Sequence, residues 1–238
     1  LRAEARAGTD RSLAALALSA FAKDAPAAFM NDLAQGWQNV TDSDRICLEL
    51  AAELLLRKQR PALAWQACLV MQDLPSMRLE SRKQPLMLRV AHAMNNRAIV
   101  QELFAEVVRM PVPGGSQTVA WAQTLQECGE LNLARELYQT ALDRLEATQG
   151  SQPDLTAAWA KFLIAQKEYE AAETCLLRDV WMLPNEAAGI LFALYQSWGR
   201  LADIQQELRK FHLPGGIEKE VLYLAAKELG AKPPVMAP

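Results

Sequence analysis

The feature that most constrains this chain is a helix–turn–helix unit written six times along it. Units begin near Thr9, Arg45, Ser81, Gly115, Pro153 and Asn185, at spacings of 36, 36, 34, 38 and 32 residues. Punctuation carries the repeat. One mark lies inside each unit: Gly129 and Gly199 can take the left-handed conformation that closes a helix, and Asn95 tolerates it. Pro26 and Pro61 stand at the start of the following helix, where a missing N–H costs nothing. A second mark ends each unit: Leu74-Pro75, Pro111 with Pro113-Gly114-Gly115, Gly150 with Pro153, Leu183-Pro184, and Pro214-Gly215-Gly216. Thr41-Asp42-Ser43-Asp44 closes the first unit and offers N-caps to the next helix. Between the marks, apolar residues recur at three- and four-residue steps and read as helix. With a period in this range, each unit buries its apolar face by stacking on its neighbours.

The expected fold is therefore all-α, a solenoid of about six helical pairs over residues 9–216. A lead segment covers 1–8, a capping helix 217–230, and a flexible tail 231–238. Two helices per unit make twelve, and Ile217 to Leu229 makes a thirteenth, ending at Gly230. Apolar residues form 51% of the chain, enough for a continuous core. The chain opens on Leu1 and reads as a fragment or processed product. Near it, Arg2, Arg6 and Arg11 precede the apolar run Leu13 to Leu18, and Ala20-Phe21-Ala22 mimics a signal-peptide cleavage site. Glu4 and Asp10 interrupt that basic region, and the run falls in register with the first repeat, so it reads as helix. No stretch reaches the roughly 20 apolar residues that span a bilayer.

Motifs that carry chemistry are scarce. A net charge of −3 argues against a nucleic-acid protein, which usually presents a basic face. Cys47, Cys68, Cys128 and Cys175 are scattered, without the close spacing of a zinc or redox pair. They read as structural thiols; a reducing, cytoplasmic compartment fits, but buried thiols would also survive elsewhere, so the compartment is left open. His92 and His212 lack a ligand partner one helical turn away. The Gly-Gly pairs after Pro113 and Pro214 lack the Lys-Ser/Thr of a phosphate loop, so they read as helix terminators. The expectation is no catalytic residue, no metal and no cofactor.

The aligned turns add detail. Cys128-Gly129-Glu130-Leu131-Asn132-Leu133-Ala134 and Gln166-Lys167-Glu168-Tyr169-Glu170-Ala171-Ala172 occupy the same slots of consecutive units. Ala122 and Ala160 fill the small position 8 of the unit, and Ala134 and Ala172 the small position 20, with Ala28 and Ala64 earlier. Tyr138 and Leu176 hold position 24, Ala141 the small position 27, and Pro184 a terminal proline slot. This pattern resembles the tetratricopeptide family, whose unit has about 34 residues. The tryptophan of position 4 is absent; Trp121 and Trp159 stand at position 7 instead. The last unit puts Phe192 at position 8 and Ile204 at position 20, so its helices are expected to pack differently.

The resemblance implies a right-handed solenoid whose first helices line a concave groove with positions 2, 5, 9 and 12. Those positions hold Ile46, Glu49, Glu53 and Leu56, then Arg82, Pro85, Arg89 and His92. Further on they hold Ser116, Val119, Gln123 and Gln126, then Asp154, Ala157, Lys161 and Ile164, and last Glu186, Gly189, Ala193 and Gln196. Arg82, Arg89, His92, Gln123, Gln126, Lys161 and Gln196 are the expected partner-binding set. They suit an extended acidic peptide held by charge-assisted contacts and amide hydrogen bonds. Glu49 and Glu53 stand where the first lysine and asparagine with which the family grips chaperone C-termini would be wanted, which disfavours that role. The leading expectation is a non-catalytic protein-binding scaffold or adaptor. A self-assembling solenoid and a helical-repeat RNA-binding module are the alternatives. The acidic charge opposes RNA, and the polar Glu218, Lys219, Lys227 and Glu228 oppose end-to-end growth.

Overall fold

The computed structural model describes residues 42–72, 83–109, 115–148, 150, 152–179, 186–208, 213 and 215–230. All secondary structure among them is helical, so the described part of the chain is all-α, compatible with the expected class. The helices are α1 (Asp42–Arg57), α2 (Pro61–Gln72), α3 (Lys83–Ala93), α4 (Arg97–Arg109), α5 (Gly115–Glu127), α6 (Leu131–Ala147), α7 (Pro153–Ala165) and α8 (Tyr169–Asp179). After them come α9 (Ala187–Ser197), a short 3-10 helix (Leu201–Asp203), α10 (Ile204–Leu208) and α11 (Gly215–Glu228). The unit expected from Thr9, together with Arg82, His212 and the 231–238 tail, lies outside the described residues.

One turn recurs five times among the described residues. Gln59, Asn95, Gly129, Lys167 and Gly199 have φ of 57°, 54°, 76°, 63° and 72°, spaced 36, 34, 38 and 32 residues apart. In each turn the left-handed residue donates its N–H three residues back, and the next residue donates five back. Thus Gly129 N bonds Gln126 O at 2.9 Å while Glu130 N bonds Leu125 O at 2.9 Å. Gln59 and Arg60, Asn95 and Asn96, Lys167 and Glu168, and Gly199 and Arg200 repeat the arrangement. This is the Schellman closure, which satisfies carbonyls left open at a helix end. In the first four turns the residue that completes the closure also begins the next helix. Arg60, Asn96, Glu130 and Glu168 accept from the amides of Ala64, Val100, Ala134 and Ala172. The fifth departs from the rule: Arg200 O accepts from Asp203 N, three residues on, and the helix starts as a 3-10 turn.

The chain divides into two compact units, Leu1–Pro111 with Ala120–Leu137, and Val112–Val119 with Tyr138–Pro238. In the first unit α1 packs on α2, α2 on α3 and α3 on α4, and α1 also meets α3 directly. In the second, α7 packs on α8 and α8 on α9, while α7 meets α9 directly and α9 meets α11. Helices α1 and α7 each touch both their hairpin partner and the first helix of the following hairpin.

Small residues sit where the resemblance wants close approach. Ala64, Ala122, Ala134, Ala160 and Ala172 are all fully buried. Larger side chains fill the rest: Leu48, Leu55, Met71 and Leu88 in the first unit, Leu155, Phe162, Leu191 and Leu194 in the second. Burial of each such side chain contributes about 1.5–3 kcal/mol. Trp159 stacks on Phe162 with centroids 5.4 Å apart, and both rings lean on Tyr138. In the last hairpin, Ile204 occupies the slot that Ala134 and Ala172 fill elsewhere and is itself buried. Val100 fills the same slot after Asn96 and is buried behind a regular start, so the 3-10 start at Leu201 is particular to the last hairpin.

Helix α11 begins two residues before the expected start and closes at Gly230, whose φ is 64°. Ile217, Val221, Leu222, Ala225 and Ala226 form its buried stripe, with Lys219, Tyr223 and Lys227 exposed.

Candidate functional site

Within each unit, charged residues of first helices pair across consecutive hairpins. On the first unit, Arg89 of α3 grips Glu53 of α1. Nη1 lies 3.3 Å from Oε2, and Nη2 donates to Oε1. Both side chains are about one-third exposed, at 33% and 31%. Gln126 of α5 donates Nε2 to the Ala122 carbonyl at 3.3 Å, back along its own helix, and Gln123 is exposed. His92, half-buried, lies with the turn residues Asn95, Asn96 and Arg97 and with Glu130 around a cavity of about 360 Å³.

On the second unit, Lys161 of α7 reaches Glu186, the residue before α9, with Nζ 3.1 Å from Oε2. One helix further, the Gln196 amide of α9 donates to Glu228 of α11 at 3.1 Å. Beside the Lys161–Glu186 pair lies a cavity of about 440 Å³. Its floor is Ile164, Gly189, Ile190 and Ala193, and its rim is Lys161, Glu186 and Glu220. Helices α7, α9 and α11 contribute to it.

The structure thus brings Lys161 together with Ile164, Glu186, Gly189 and Ala193, all residues assigned to the groove by register. It places Gln196 on the same helix as Gly189 and Ala193, bonded across to α11. It does not leave the two described cations free: Arg89 and Lys161 each hold a carboxylate of a neighbouring hairpin. Arg82 lies outside the described residues. Ile190 and Glu220 went unrecognised in the sequence. Glu220 sits on a helix that reads as a cap, and Ile190 falls between groove positions.

Burial shifts the titration of three other side chains, Cys68, Cys128 and Tyr195. Burial pushes the Cys68 thiol up to about 12, with further raising from Glu53 and Glu49 and some lowering from Arg89. Burial, then Glu127, then Glu130 bring Cys128 to about 11, against an opposing pull from Arg89. Both thiols stay protonated near neutrality and lack the thiolate character that nucleophilic cysteines need. Tyr195 is fully buried and donates its hydroxyl to Glu173 at 2.5 Å. Burial first, then that bond to a carboxylate, raises its pKa above the usual tyrosine range. Arg200 pairs with the buried Glu207 at 2.6 Å and lies over the Trp198 ring, 4.7 Å from its centroid. No metal-binding group of His, Cys, Asp or Glu exists among the described residues, and none of their helices is long and apolar enough to cross a membrane.

Comparison with protein families, with curated proteins and with solved structures returned no match.

Proposed function

We propose that the chain is a tetratricopeptide-like α-solenoid acting as a non-catalytic scaffold, and that it holds a peptide segment of a partner protein on the first-helix face. The fold part rests on the repeated Schellman turn and on the contact rule that α1·α3, α7·α9 and α9·α11 obey. In helical repeats that rule generates a continuous face from successive first helices. The observation that carries the binding part is the cavity over Gly189 and Ala193, a concave apolar floor with a charged rim. Binding sites for other molecules have this composition. A non-catalytic role draws support from the raised thiol pKa values and from ion pairs that are consumed in cross-helix contacts.

Site-specific photo-crosslinking tests the reading. A crosslinking residue at Ala193, on the face, is compared in native lysate with one at Lys167, in a turn. Protein adducts specific to position 193 are expected. Equal adducts from both positions, or none from either, reject the face as the binding surface.

A further inference from the structure

We infer that the cavity formed by α7, α9 and α11 receives a basic amphipathic peptide segment, with aliphatic side chains in the hollow and a Lys or Arg on Glu220. This inference rests on the proposed scaffold role and specifies its partner chemistry.

Gly189 marks the hollow. It lies inside α9, where glycine weakens a helix relative to alanine. Its backbone has no positive φ that would call for glycine. A Cβ built there meets nothing within 4 Å, so among the described residues no neighbouring helix needs the space either. With Ala193 one turn further and Ile164 and Ile190 beside it, the missing side chain opens an apolar volume of about 440 Å³. That size lies within the range of about 300–1,000 Å³ for ligand clefts.

Charge fixes the sign of the guest. The rim holds two carboxylates, Glu186 and Glu220, against one ammonium, Lys161. Lys161 and Glu186 satisfy each other at 3.1 Å. Glu220 is exposed and has no cation of the chain among the described residues. A peptide cation arriving there gains a partner, whereas an acidic peptide meets a like charge and must break an existing pair to find one. The guest is thus opposite in sign to the acidic segment suggested by Arg82, Arg89 and Lys161 in the sequence.

The test is selection from a random twelve-residue peptide display library on the whole chain, followed by fluorescence anisotropy with the enriched peptides made synthetically. Enriched peptides are expected to combine Leu, Ile or Met with Lys or Arg. Gly189→Leu fills the hollow with a better helix former and is expected to weaken binding by about tenfold or more, with helicity and melting temperature retained. Glu220→Lys, a surface change, is expected to weaken the same peptides and to shift a fresh selection towards Asp and Glu. If Gly189→Leu blocks binding but the enriched peptides are acidic, the scaffold face stands and the partner chemistry fails. If Gly189→Leu leaves affinity unchanged, both fail. No enrichment, or self-association of the chain on the same face by light scattering, also overturns the inference.

Discussion

The Arg89 guanidinium holds the Glu53 carboxylate through both terminal nitrogens, and the two residues stand 36 apart, one repeat spacing. They occupy the same slot of consecutive units, so the contact ties α1 to α3 at matching positions. With each side chain one-third exposed, solvent screens the pair. A double-mutant cycle using Glu53→Gln and Arg89→Gln should give a coupling of about 0.5–1 kcal/mol in urea denaturation. The coupling should shrink at about 1 M salt. Arg89→Glu should cost more than Arg89→Gln, because it sets a like charge against Glu53.

The five turns predict opposite signs for glycine substitutions. Gly129 and Gly199 stand at φ of 76° and 72°, so Gly129→Ala and Gly199→Ala should each destabilise by about 1 kcal/mol through backbone strain alone, as no atom crowds the added Cβ. Gln59 and Lys167 already carry that strain, and Lys167→Gly should be neutral to stabilising by up to about 1 kcal/mol. Gly189→Ala is the control. Its helical backbone and open surroundings should turn the same chemical change into a gain of about 0.5–1 kcal/mol. Thermal melts of the four variants check the pattern.

Alkaline pH should weaken the fold. The folded Cys68 thiol titrates near 12 against an ordinary 9.0, and Cys128 near 11. Between those values the unfolded chain releases protons that the folded chain keeps, so stability is full below about pH 9 and falls as pH rises above it. The raised Tyr195 adds to the fall with the same sign. Urea midpoints should be flat from neutrality to about pH 8 and then decline. Cys68→Ala, though less stable throughout for the cavity it leaves, should decline less steeply.

The repeat was legible because glycine, asparagine and proline announce turns by their backbone preferences, as at Asn95, Gly129, Gly199 and Pro61. Gln59 and Lys167 adopt the same left-handed turn without any residue-type signal; only the register of the neighbouring units places them. The face residues were also legible by register, since Lys161, Ile164, Glu186, Gly189 and Ala193 do converge. Their charge state was not. Arg89 and Lys161 read as open cations because their partners, Glu53 and Glu186, lie 36 and 25 residues away. A carboxylate in a neighbouring unit becomes a contact only once first helices stack on first helices. Glu220 escaped notice for the related reason that α11, read as a polar cap, packs directly on α9.

One slot of the repeat is filled in two ways. Ala172 lies four residues beyond the cap residue Glu168 and is fully buried, where α8 crosses α7. Ala172→Leu forces extra volume into that crossing and should cost about 1–3 kcal/mol. Ile204 lies four residues beyond Arg200, buried to 3% exposure, behind a 3-10 start that its neighbours lack. If the slot simply favoured small residues, Ile204→Ala would stabilise the last hairpin and restore a regular helix start. The packing argues otherwise: the last hairpin is built around the larger side chain, so Ile204→Ala should leave a cavity and cost about 2–5 kcal/mol. Urea denaturation of the two variants separates these accounts. A stabilised Ile204→Ala variant would mean that the isoleucine strains the hairpin instead of filling it.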